Sequence, residues 1–242
     1  MLSGLALFVQ YQKEFSAQNR INWKSFYIRR AYRIMPLWLL MAPVYVMFNQ
    51  DLDFFDIIGT ALFYNGFIIT NDIIIDGGWS IFVEVCFYAL FPLLCLISTN
   101  LWRTISLIIL FMGLSYWMRY GVAGGVSDGT FYDYIYGLPF THLFCFTMGI
   151  ALYFVWNKIQ KIEMKSSLQL ILGIVSLGII FLSLPYDIII ACIGFCTLFF
   201  MCFLQKGFLY NILNSNRLLM TTGVYSYGIY LTHFVVIKIC RF

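Results

Sequence analysis

Trp79-Ser80-Ile81-Phe82-Val83-Glu84-Val85-Cys86-Phe87-Tyr88-Ala89-Leu90-Phe91-Pro92-Leu93-Leu94-Cys95-Leu96-Ile97-Ser98 runs for 20 residues with one charged side chain, Glu84. A helix of that length rises about 30 Å, the thickness of the hydrocarbon layer of a bilayer. The stretch therefore predicts a membrane-crossing helix. Working outward from it, the same apolar-window criterion predicts crossings at 34–49, 104–118, 138–156, 168–184, 187–204 and 219–239. Met1 to Tyr11 supplies only the end of an earlier span before the polar stretch Gln12 to Asn22. The expected fold is all-α: a polytopic transmembrane bundle of about seven full spans plus an N-terminal partial span, forming a single domain over residues 1–242.

Composition points the same way. The chain is 62% apolar and 11% charged with a mean hydropathy of +0.85, where soluble domains are roughly 45–50% apolar and about 25% charged. A soluble enzyme is excluded, because too little charge remains to clothe its surface. The net charge of +4 comes from short basic clusters between apolar segments, which argues against nucleic-acid binding. Seven cysteines lie almost entirely within apolar runs without metal-ligand spacing, so they read as small buried hydrophobes. The start carries no basic leader or small-residue cleavage site and does not resemble a signal peptide.

Residues 23–33 mix aromatic and basic side chains in a pattern suited to a helix lying along the cytoplasmic membrane surface. The stretch 54–75 is apolar but interrupted by Asp56, Asn65, Gly66, Asn71 and Asp72, and it is expected to be re-entrant or interfacial. Alternating the spans places Lys13 to Arg33, Arg103, Lys158, Lys161, Lys165, Lys206 and Arg217 on one side. Asp51, Asp53, Asp56, Asp72, Asp76, Asp128, Asp133 and Asp187 fall on the other, so each loop obeys the positive-inside rule.

Ionisable residues within spans are costly, so each is a candidate functional group. Ser80, Glu84 and Tyr88 share one helix face at four-residue spacing. That face must meet protein or water, with Glu84 either handling a proton or gluing helices together. Ser226, Tyr230 and His233 form a second seam expected to point inward. Its histidine is either an acid/base group or an interhelical hydrogen-bond partner. Arg30 and Arg33 lie on one face just before Ile34-Met35-Pro36 and suit either a phosphate clamp or a topological anchor. His142, beside Pro139 and Thr141, reads as an interfacial residue with no assigned role.

Taken in order, Ser3-Gly4, Arg30-x-x-Arg33 with Ile34-Met35-Pro36, Trp79-Ser80-x-x-x-Glu84-x-x-Phe87-Tyr88-x-x-x-Pro92 and Ser226-Tyr227-x-x-Tyr230-Leu231-x-His233 resemble the membrane acyltransferase-3 family. The resemblance implies a multi-pass protein of the cell membrane, expected to be a bacterial inner or plasma membrane. It implies transfer of an acyl group, acetyl foremost, from cytoplasmic acyl-CoA to a hydroxyl of a cell-surface or exported carbohydrate. Acyl-CoA would be the cosubstrate, with no bound cofactor or metal and no nucleic-acid partner. By the same resemblance, Arg30 and Arg33 hold the acyl-CoA phosphates, Glu84 and His233 are the catalytic candidates, and Ser3, Trp79, Ser80, Tyr88, Ser226 and Tyr230 support them. The family pattern also has an earlier span with an arginine and a histidine regarded as the catalytic base, so the chain is expected to be a fragment at the N-terminus and also at the C-terminus. Two other readings are a non-catalytic remnant of the family and a transporter or export scaffold. The transporter reading predicts an internal repeat, and the sequence shows none.

Overall fold

Lipid offers no water to the backbone, so each crossing segment must satisfy its own amides and carbonyls as a helix. The structure, a computed structural model, describes residues 1–18, 20–48, 53–64, 67, 75, 77–122, 135–159, 164–183, 188–204, 211 and 215–240. Its main helices are α1 (Leu2–Gln18), α2 (Trp23–Phe48), α3 (Phe54–Ala61), α4 (Gly78–Ile97), α5 (Leu101–Tyr116), α6 (Leu143–Ile159), α7 (Ser166–Ser183), α8 (Ile188–Phe203) and α9 (Arg217–Cys240). A π-helical segment, Trp117–Val122, continues α5, and a 3-10 turn, Pro139–Thr141, leads into α6. Among the described residues there is no strand.

The helices α2, α4, α7 and α9, together with α5 and its π-helical extension, are long and apolar enough to cross a membrane. Leu143–Trp156 and Ile189–Met201 are equally apolar but shorter. The chain is thus a multi-pass helical membrane protein, with five helices of full spanning length among the described residues, where the sequence predicted seven spans. Asp51, Asp72, Asp76, Asp128, Asp133, Asp187, Lys161 and Lys206 lie outside the described residues, as does most of the polar part of 54–75.

Three boundaries differ from expectation. Residues 23–33 do not form a separate surface helix but are the first turns of α2, which runs unbroken to Phe48 through Pro36 and Pro43. Arginine and lysine are good helix formers, and no glycine or proline interrupts residues 23–35. Gln12 to Gln18 continue α1 instead of leaving it. The 138–156 span begins as a 3-10 turn at Pro139, because proline suits a first turn and leaves no donor for the preceding one. In 54–75, Asp53 caps α3 by accepting from the Phe54 amide at 2.7 Å, and Asp56 accepts from the Asp53 amide at 3.3 Å. This reciprocal capping starts a helix of 8 residues, too short to cross.

The core gathers around α4, whose Ile81, Val83, Phe87, Tyr88, Phe91, Leu94 and Cys95 pack with residues of α1, α2, α5, α6 and α9. Apolar burial adds little to association between helices already in lipid, so close approach of backbones matters more. A Cβ on Gly4 would lie 2.2 Å from the Phe146 carbonyl oxygen, and one on Gly149 would lie 2.1 Å from that of Met1. Glycine at both positions lets α1 and α6 cross in backbone contact, which fixes Ser3 beside α4. The outward faces of α7 and α9, with Ile174, Phe181, Leu218 and Val224 exposed, are the lipid-facing surface.

Candidate functional site

The predicted Ser80/Glu84/Tyr88 face of α4 meets α1, α2 and α9. Glu84 accepts a hydrogen bond on Oε1 from Ser3 Oγ at 3.0 Å and a second, very short one on the same oxygen from the Tyr88 hydroxyl. Among the described residues no donor reaches Oε2. A carboxylate held through one oxygen keeps the other available to take a proton.

Arg30 is half-buried, with its Cζ 5.8 Å from both the Phe26 and Tyr88 ring centroids. Its Nη2 donates to Gln10 Oε1 at 3.4 Å, while its buried Nε has no partner among the described residues. Arg33 is exposed and lies one turn after Arg30 on α2. Between α2 and α4 lies a cleft of about 320 Å³ lined by Arg30, Ile34, Met35, Phe63, Val85, Tyr88 and neighbouring residues. It is apolar except for the guanidinium and the tyrosine hydroxyls. The structure therefore brings Ser3, Arg30, Glu84 and Tyr88 to one site, with Arg33 beside it.

Ser80 and Tyr230 meet one turn before Glu84, at the N-terminus of α4. Ser80 Oγ lies 2.8 Å from the Tyr230 hydroxyl, which donates to the Gly77 carbonyl at 2.9 Å. Gly77 caps α4 with φ of +75°, and a Cβ there would stand 2.8 Å from the Tyr230 hydroxyl. Both the left-handed backbone and the close tyrosine demand glycine. Trp79, the next residue but one, packs against His142 with ring centroids 5.3 Å apart.

The α9 seam is only half realised. Tyr230 faces α4, but Ser226 is exposed and donates to the carbonyl of Gly223 in its own helix at 2.9 Å. The inward face instead carries Tyr227, Leu231 and Val235, and Tyr227 donates to the Ile34 carbonyl at 3.0 Å. The rotation follows from packing: bulky Tyr227 and Leu231 fill the groove of α2, and Ser226 is turned away. His233 has Nδ1 2.5 Å from the Tyr230 carbonyl oxygen of its own helix, and its ring lies against Phe234. With that oxygen accepting, Nδ1 carries the hydrogen and Nε2 is the acceptor. No contact joins His233 to Glu84 among the described residues.

Sequence reasoning missed Gln10, Gly77 and Tyr227, whose importance is one of position. It also passed over Arg119, which is 4% exposed. A signal for it existed: a lone arginine at the end of a span whose following loop carries acidic residues.

Comparison with curated proteins and with solved structures finds no match. The family model described as an acyltransferase domain matches residues 1–242. That match covers every residue of the α1, α2, α4 and α9 constellation, and the chain belongs to the acyltransferase-3 family.

Proposed function

We propose that the chain transfers an acyl group, acetyl foremost, from acyl-CoA on the side of the membrane bearing Lys13 and Arg29 to a hydroxyl of an exported or cell-surface carbohydrate. The observation that carries this reading is the cleft between α2 and α4, which combines apolar walls with a half-buried guanidinium and adjoins, through Tyr88, a carboxylate tethered through one oxygen. Apolar walls suit an acyl thioester, and a planar guanidinium suits phosphate oxygens.

In this reading Arg30 and Arg33 hold the phosphates of acyl-CoA. The acceptor hydroxyl attacks the thioester carbonyl while a base removes its proton, and the CoA thiolate leaves. Glu84 serves as that base through Oε2, with Ser3 and Tyr88 fixing its orientation. His233 Nε2 is the rival base in this reading, and it belongs to a different helix and a different set of contacts. Acyl-CoA and the carbohydrate are the partners besides lipid.

The test is a double Arg30→Lys/Arg33→Lys variant assayed in membranes for acetyl-CoA dependence of transfer to surface glycan. Lysine keeps the charge but loses the fork, so KM for acetyl-CoA should rise by about tenfold or more. An unchanged KM with normal membrane insertion would leave the pair as a topological anchor.

A further inference from the structure

We propose that Arg119 anchors a subsite for an oxyanion carried by the acyl acceptor: a carboxylate or phosphate on the same saccharide that presents the hydroxyl. The inference rests on the acyltransferase reading for the identity of the acceptor, and on geometry for the site.

Arg119 belongs to the π-helical segment that continues α5. Such widened turns change the direction of side chains and occur frequently at functional sites. Ser115 and Arg119 both turn inward here, and Ser115 is secured by donating to the Thr141 carbonyl at 2.8 Å. The guanidinium is buried, yet neither Nε nor Nη2 has a hydrogen-bond partner among the described residues. No carboxylate among them pairs with it. Its Cζ lies 5.0 Å from the Tyr136 ring centroid, which offsets part of the charge but satisfies no N–H. A buried cation with unfilled donors calls for an anion.

The surroundings point to a sugar-borne anion. Tyr136 stands nearly edge-on to both Trp79 and His142, with centroids 5.4 and 5.2 Å apart. His142 Nε2 is 2.7 Å from the Tyr136 carbonyl oxygen, so this imidazole helps hold the loop that presents the tyrosine. Three aromatic rings thus pack together beside a fork of N–H donors. Through Trp79 it adjoins Ser80 and its contact with Tyr230. It also lies at the end of the bundle opposite Lys13 and Arg29, where the acceptor would arrive.

The test uses the full chain in lipid nanodiscs without acyl-CoA, with methyl glucuronide, glucose 1-phosphate and methyl glucoside as probes followed by saturation-transfer NMR. At least one anionic sugar should bind saturably and about tenfold or more tightly than the neutral glycoside, and Arg119→Gln should remove that advantage. The tighter of the two anionic probes distinguishes carboxylate from phosphate. Equal binding of charged and neutral sugars by the unaltered chain, or no binding, overturns the site whether or not the variant folds. An advantage that survives Arg119→Gln in a folded protein also overturns it. The two readings fail separately. Arg119-dependent binding without acyl transfer by membranes removes the acyltransferase reading and keeps the site. Transfer that is equal for neutral and charged acceptors, and unchanged by Arg119→Gln, does the reverse.

Discussion

The polar seams of α4 and α9 look alike on paper, each with three hydrogen-bonding side chains at helical spacing inside an apolar run, and they meet different fates. On α4 all three residues find side-chain or backbone partners: Ser80 with Tyr230, and Glu84 with Ser3 and Tyr88. On α9 only Tyr230 crosses to another helix, while Ser226 and His233 bond to carbonyls of their own turn. The difference arises from position in the bundle. The first helix is enclosed by α1, α2 and α9, whereas the second has neighbours along one side among the described residues. Periodicity selects a face, and the number of neighbours decides whether a whole seam is used.

The largest effect separating the seams is expected at Glu84. Glu84→Gln keeps the shape and can still accept from Ser3 and Tyr88, but it cannot take a proton. Acyl transfer in membranes should fall by about 10²–10⁴ with little loss of thermal stability. Normal transfer by the variant would assign Glu84 to structure alone. His233→Gln probes the rival base. Because the imidazole is tied only to its own helix, the expected loss of transfer is below about tenfold. A loss as large as that of Glu84→Gln would move the base to α9.

The junction between the seams should show a smaller effect. Ser80→Ala, Tyr230→Phe and the double variant form a cycle in which each change removes one hydroxyl. The coupling measured by unfolding in mild detergent should be roughly 0.6 kcal/mol and no more than about 1.7 kcal/mol. Additivity within error would mean that the 2.8 Å contact contributes nothing. The smallest change is expected for Ser226→Ala, which removes a back-bond on an exposed face and should alter stability by less than about 0.5 kcal/mol. A larger loss would place a partner against that side of α9.

How far the sequence could be read follows the same logic. Glu84 and Arg30 stood out by charge and by pairing and Ser3 through the family resemblance, and all three reach one site. Arg119 did not, because a single arginine at a span end resembles an anchor until its burial and its lack of partners are known. Gln10 gave no signal and Tyr227 entered only as a motif residue without a role, since an ordinary polar residue becomes important only through what faces it.

Hydropathy by itself determined that the chain lives in a membrane, is helical and has apolar segments at these places, because lipid penalises each unsatisfied backbone group and rewards apolar length in any tertiary context. Only the tertiary structure decided that α2 runs unbroken past Arg33, that Gly4 and Gly149 bring α1 against α6, that Ser226 turns away from α2 and α4 and that Arg119 turns inward. These depend on steric fit between particular helix surfaces, which acts over a few ångströms between residues far apart in the chain and leaves no periodic trace in either partner alone.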